Sequence, residues 1–249
     1  DDALVAQLKT EIFRRGRRIE SDQRYLALLI QGVGPMCAKK DYSFGQMLLE
    51  LVHYQYGDDI SQLTNQNLTA MLYGLGQIGV ESKAMLYPFV VDSIKTRRLQ
   101  QYTVHGLATL LFGLGQFRFC DADALYPVIK EVCREIRVKY FTNRQLMGTI
   151  FSFCNMDIAR EDLLQPLLQA ASRPTQLQKC TGSDLSMFFF SLVKIKPKDQ
   201  VHLQNALSEV VHPERLKSLS DIALNAILYS ITSLRGHARS PTILRPLVD

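Results

Sequence analysis

Apolar residues recur along this chain at steps of three and four, and the pattern itself repeats. Leu68, Met71, Leu72, Leu75 and Ile78 fall on one helix face, and Leu107, Leu110, Leu111, Leu114 and Phe117 fall on the same face of a later helix. The leucines that open these faces belong to a longer column of Leu68, Leu107, Leu146, Leu185 and Leu224, with 39 residues between neighbours. Four residues before each stands a hydroxyl residue: Thr64, Thr103, Thr142, Thr181 and Ser220. Such a side chain accepts a hydrogen bond from a free backbone N–H and caps a helix start. The residue before the cap is mostly apolar (Leu63, Tyr102, Phe141, Cys180, Leu219), which predicts a hydrophobic staple onto the leucine. Gln145 and Asp184 stand three residues after their caps, where a capping box needs them.

A second helix follows in each repeat. Its columns are Leu86, Leu125, Leu164 and Leu203, then Val90, Ile129, Leu168 and Leu207. Pro88, Pro127 and Pro166 share a column, and proline is best tolerated in a first helical turn, so this helix is predicted to begin within a turn before it, a mild kink at the proline being the alternative. Small residues recur at Gly74, Gly113, Ser152, Ser191 and Ser230, where a neighbouring helix could approach closely. A period of this length is the signature of stacked supersecondary repeats. The expected fold is all-α: one α-solenoid of helix-turn-helix repeats over residues 1–249, with a 39-residue period. A leading helix takes residues 1–21, and repeats follow at 22–63, 64–102, 103–141, 142–180, 181–219 and 220–249, the last incomplete. The first of these aligns Leu26 with Leu68 at a spacing of 42, with Asp22 as its cap.

Composition narrows this picture only a little. A hydrophobic content of 47% suffices for a core, and no apolar run reaches the roughly 18 residues that suggest a membrane span. The five cysteines, Cys37, Cys120, Cys133, Cys154 and Cys180, form no CxxC pair and read as buried reduced thiols. Motifs of catalysis are missing. Gly74-Leu75-Gly76-Gln77-Ile78-Gly79 matches the dinucleotide fingerprint but falls in a helix and the turn after it, without the required preceding strand. Asn67-Leu68-Thr69 matches a glycosylation sequon, yet Leu68 belongs to the core column. Asp58-Asp59 reads as a solvated turn, and His53, His105, His202, His212 and His237 lack metal-ligand spacing. The expectation is a non-enzyme without catalytic residues, metal or cofactor.

The basic residues follow the repeat, and this changes the functional reading. Net charge is +5. Lys95, Arg134, Arg173 and His212 share one column, while Arg98, Arg137 and Arg215 share another that Gln176 interrupts. Lys139 and Lys217 share a third with Gln100 and Gln178. Stacking turns a column into a stripe, and a stripe of cations could follow a phosphate backbone. The competing reading is that cations near the end of a second helix cap its carbonyls and favour its dipole. Arg14, Arg15, Arg17 and Arg18 make a separate cluster that could grip phosphates or end a solvated helix. The polar positions beside the caps vary: Asn65-Gln66, Val104-His105, Asn143-Arg144, Gly182-Ser183 and Asp221-Ile222. Helical-repeat RNA binders read bases with positions of that kind.

The run from Thr142 to Phe153 around Leu146, and the run from Leu68 to Gly76 with its sister at Leu107, resemble the organellar helical repeats of the FASTK/RAP-protein type. They are also similar to the heptatricopeptide repeats of apicomplexan mitochondrial proteins. The resemblance covers roughly residues 22–249 and rests on a hydroxyl cap, a leucine, an aromatic-small pair and a proline. The tryptophan typical of several relatives is absent, and so is a C-terminal RAP domain. The resemblance implies a mitochondrial-matrix RNA-binding protein acting on an organellar transcript or on rRNA, as a ribosomal component or with other proteins of a ribonucleoprotein complex. The alternative is a protein-binding scaffold of armadillo-like build. The RNA reading expects basic columns converging on one face, and the scaffold reading expects an apolar or acidic face.

Overall fold

The computed structural model describes residues 23–36, 42–57, 60–80 and 82–234, together with 6, 7, 10–12 and 14. The cap at Asp22, most of the leading helix, Cys37, Asp58-Asp59, His237, three of the clustered arginines and the end of the last repeat lie outside them. The described residues form helices joined by turns and short loops, without a strand. They fall into two compact units, Asp1–Val128 and Ile129–Asp249.

In the first unit α1 spans Gln23–Val33, α2 Tyr42–Tyr56, α3 Asn65–Ile78, α4 Lys83–Ser93, α5 Thr96–Gln101 and α6 Val104–Gln116. Helix α7, Ala122–Val132, runs through the boundary. The second unit continues with α8 at Glu135–Val138, α9 at Asn143–Asn155, α10 at Glu161–Ala171 and α11 at Pro174–Leu177. Helices α12 at Gly182–Ile195, α13 at Val201–Val210, α14 at Pro213–Ser218 and α15 at Asp221–Leu234 complete it.

The five hydroxyl residues cap helices as the sequence predicts. Thr64 accepts from the Asn67 N–H at 3.2 Å, Thr103 from Gly106 at 3.0 Å, Thr142 from Gln145 at 3.3 Å, Thr181 from Asp184 at 3.2 Å and Ser220 from Ala223 at 3.3 Å. Thr142 and Thr181 close full capping boxes. Each capped helix turns its leucine inward: Leu68, Leu107, Leu146 and Leu185 are buried. Leu224 departs from the column and is only half-buried, because α15 is packed by α12 on one side and leaves Ile222, Leu228 and Tyr229 exposed.

Capped helices pack on one another. In the first unit α1 lies on α3 and α3 on α6, and in the second α9 lies on α12 and α12 on α15. The small-residue column makes this approach possible. A Cβ on Gly74 would stand 2.3 Å from the Ile30 carbonyl oxygen, and one on Gly113 would stand 2.9 Å from that of Leu72. Ser152, Ser191 and Ser230 meet the same demand by turning their hydroxyls back onto carbonyls four residues earlier in their own helices.

Two sequence expectations need correction. Pro88, Pro127 and Pro166 do not sit in a first turn, because α4, α7 and α10 begin five residues ahead of them and carry the proline inside the helix. Each helix therefore gives up one internal N–H bond at the proline. The segment from one capped helix to the next also holds a third element. Short helices α5, α8, α11 and α14 follow α4, α7, α10 and α13, so the local plan has three helices where two were expected. Buried Leu99 and Leu177, with half-buried Val138 and Leu216, anchor these turns.

Helices α3, α6, α9 and α12 end in a left-handed residue, or place one just beyond the end. Gly79 (φ 87°) adopts this conformation freely, but Arg118 (φ 50°), Asp157 (φ 59°) and Lys196 (φ 49°) do so with a Cβ. A left-handed non-glycine residue is strained by roughly 1–2 kcal/mol. Lys196→Gly is accordingly expected to stabilise the protein by about 1 kcal/mol, net of the entropy glycine adds to the unfolded chain. An unchanged or lowered urea midpoint would show that the Lys196 side chain returns that strain through its contacts.

Candidate nucleic-acid interface

The sequence-predicted cations divide into two groups in the structure. The first group is engaged inside the fold. Arg98 sits at the third position of α5, with its side chain 13% exposed and its Nε 2.6 Å from the Asp92 carboxylate. Its guanidinium donates to the Leu63 carbonyl at 2.8 Å, to Ile60 at 3.2 Å and to the Asn65 side-chain oxygen at 2.9 Å. Arg98 thereby ties α4 and α5 to the loop that leads into the preceding capped helix. Asn65 returns a bond to the Arg98 carbonyl at 3.3 Å.

Arg215 repeats the arrangement in the second unit. It pairs with Glu209 at 3.2 Å and donates to the Leu177 carbonyl at 3.0 Å, to Gln178 at 3.3 Å and to Cys180. Arg137 pairs with Glu131 at 3.0 Å, and both side chains are less than a fifth exposed. Arg98 and Arg215 do bind carbonyls, as the capping alternative expects, but these carbonyls belong to an earlier loop, not to the end of the second helix.

A sequence signal for this clamp existed and lies six residues upstream. Asp92 precedes Arg98, Glu131 precedes Arg137 and Glu209 precedes Arg215. Where the arginine is replaced by Gln176, the acid is replaced by Ala170. Acid and arginine are therefore present together or absent together, the mark of a partnership within the fold. In that place Asn143 still bonds the Gln176 carbonyl at 3.2 Å, so the neutral half of the clamp persists.

The second group is exposed. Lys95, Arg134 and Arg173 stand at the N-caps of α5, α8 and α11, without a capping side-chain bond. Lys95 reaches Asp92 at 2.7 Å and Arg134 reaches Glu131 at 3.1 Å, with the cations 62% and 54% exposed. Lys139 pairs with Glu135 at 2.8 Å and Lys217 with Glu214 at 3.4 Å, all four side chains open to solvent. The exposed pairs of Lys139 and Lys217 are worth about 0–1 kcal/mol, so these two cations can be surrendered to an incoming anion at small cost, whereas Lys95 and Arg134 answer the largely buried Asp92 and Glu131. Arg14 pairs with Glu11 at 2.7 Å in the same way, and Arg15, Arg17 and Arg18 lie outside the described residues.

Acidic residues are few on the capped helices. Helices α3, α6 and α9 contain none, α12 contains only Asp184, which is buried in its capping box, and α15 contains only exposed Asp221. The carboxylates sit instead on second and short helices, where several neutralise the clamp arginines. Half-buried aromatic rings of successive capped helices meet in pairs: Tyr73 and Phe112 with centroids 5.6 Å apart, and Phe151 and Phe190 at 5.1 Å.

Neither a family profile nor a curated protein matches the chain.

A cleft of about 410 Å³ opens in the first unit where α1, α3, α5 and α6 meet. Gln31, Asn65, Gln66, Gln101, His105 and Thr109 are among its lining residues. Among the described residues no three His, Cys, Asp or Glu side chains gather as a metal site. No helix there is long and apolar enough to cross a membrane.

The cysteines differ in access. Cys154 and Cys180 are buried and Cys133 partly so, whereas Cys120 is exposed, contrary to the expectation of buried thiols throughout. Burial pushes the thiols of Cys133, Cys154 and Cys180 up to about 12. At pH 8 a thiol of that kind is thiolate in roughly one molecule in 10,000. Among these four, Cys120 is therefore expected to be alkylated first in the native protein, which mass spectrometry of a timed iodoacetamide reaction would report. Equal rates at Cys120 and Cys154 would contradict this placement.

Proposed function

We propose that the chain is a non-catalytic RNA-binding α-solenoid, its repeat being a three-helix unit of 39 residues. Its place would be a mitochondrial ribonucleoprotein, with rRNA or an organellar transcript as ligand. The observation that carries the reading is the segregation of charge. Arg98, Arg137 and Arg215, each largely buried with its acid, close the fold, while Lys95, Arg134, Lys139, Arg173 and Lys217 stay exposed on or beside the short helices, and α3, α6 and α9 bear no carboxylate. A polyanion with bases to stack suits such a surface better than an acidic or apolar peptide does. Phosphate contact belongs to the exposed cations. Arg98 and Arg215 support it by holding the loops in place, and Arg137 by its pair with Glu131.

The test is fluorescence anisotropy with a mixed-sequence single-stranded RNA. Arg134→Glu, Lys139→Glu and Arg173→Glu together are expected to weaken binding at least about tenfold across unrelated sequences, because phosphate contacts carry affinity without sequence information. The thermal melt should stay unchanged. Undiminished affinity in a folded triple variant would return the protein to the scaffold reading.

A further inference from the structure

The cleft of the first unit suggests where a base would be read. Its wall is built from positions that differ from repeat to repeat: Gln66 follows the first residue of α3 and His105 follows the first residue of α6. Gln31 from α1 and Gln101 from the end of α5 complete the polar rim. The caps and the clamp already use Thr64, Thr103 and Asn65, and Thr109 bonds the His105 carbonyl at 2.9 Å. The amides of Gln31, Gln66 and Gln101 enter none of those bonds. A volume near 410 Å³ falls in the range of about 300–1,000 Å³ typical of small-ligand sites, which accommodates a flat heterocycle.

The lining chemistry matches a base better than a phosphate or a peptide. Among the described residues no carboxylate and no lysine or arginine lines the cleft, so their side chains offer neither a partner for an ammonium nor a charge for a phosphate. It offers amides, each with a donor and an acceptor side by side, and an imidazole that can stack or bond. An amide pairs bidentately with adenine through N6 and N7. The cations needed for the flanking phosphates stand outside the rim, at exposed Lys95 and Arg97 of the same short-helix segment that supplies Gln101.

The geometry points to a subsite for one nucleobase of a single-stranded RNA, adenine fitting it best, with Gln66 and His105 as the residues that set the preference. This deepens the RNA reading and rests on it. The ligand is a base within a strand, not a free nucleotide, because the charge lies outside the cleft, where neighbouring phosphates of a strand would run.

The experiment measures binding of the full chain to the RNA 12-mers A12, U12 and C12, and to AMP alone, for the wild type and for Gln66→Ala, His105→Ala and the double variant. Gln66 and His105 are exposed, so the variants keep the fold, which a melt verifies. The wild type is expected to bind A12 about tenfold more tightly than U12 or C12, the discrimination of one good bidentate contact. The double variant is expected to lose that preference while binding all three strands with equal residual affinity. Wild-type binding without preference, or a preference that survives both substitutions, overturns the base subsite and leaves the RNA reading standing. AMP held as tightly as A12 overturns it in favour of a small-molecule pocket. Failure of the wild type to bind any strand removes the RNA reading and this subsite together.

Discussion

Arg98→Met is expected to destabilise the first unit by about 3 kcal/mol. Removing one member of a buried ion pair leaves the other charge uncompensated, at a cost of about 3–5 kcal/mol. Asp92 would be left almost fully buried, with only exposed Lys95 to answer it, so the lower figure applies. The loop carbonyls of Ile60 and Leu63 would lose their donor as well. Arg98→Lys should not rescue, since a single ammonium cannot reach two carbonyls, an amide and a carboxylate at once. Adding Asp92→Ala to Arg98→Met, the state found naturally at Ala170 and Gln176, should recover more than about 1 kcal/mol of the loss. Urea midpoints of the single and double variants measure the coupling. A loss below about 0.5 kcal/mol for Arg98→Met would mean that the pair contributes no more than a surface contact. The triple change of Arg98, Arg137 and Arg215 to glutamate, which the sequence alone would offer as a test of RNA contact, should instead abolish folding.

Leu146→Ala should cost about 2–5 kcal/mol. Leu146 is buried at the fourth position of α9, behind the Thr142 capping box, in the helix that packs on α12. Truncation removes three carbons' worth of contact, and the capping box resists a shift of the helix to fill the void. Leu224→Ala serves as the internal control, and its half-buried site should lose less than half as much. A Leu146→Ala loss below about 1 kcal/mol would remove this column from the core.

The parts of the fold that were legible in the sequence are those that local chemistry decides. A hydroxyl cap, a staple and a leucine four residues on are local signals, and all five predicted helix starts are capped in the structure. The third helix was missed because it is short, and its single buried residue, such as Leu99 or Leu177, sets up no periodicity of its own. Its signal lay between repeats, in a column of Ile60, Leu99, Val138, Leu177 and Leu216. Proline misled because its steric preference for a first turn gave way to packing of Leu86, Leu125 and Leu164 on the helical turn before it. Recurrence alone placed Arg98 and Arg134 in the same class, since a column gives register but not direction. Both lie near an acid; what separates them is burial and reach to a loop carbonyl 35 to 38 residues upstream, which only the folded chain brings together. The cleft at Gln66 and His105 rests on positions that the sequence marks merely as variable.

The salt dependence of RNA binding tests the central claim most directly. Each phosphate contact on a single strand contributes about 0.7 to the slope of log K against log salt. The wild type should therefore show a steep negative slope between about 50 and 300 mM salt, and the Arg134→Glu, Lys139→Glu, Arg173→Glu variant should be shallower by about 2 units with an unchanged melt. A wild-type slope near zero, or identical slopes for wild type and variant, would contradict a phosphate-binding surface on this protein.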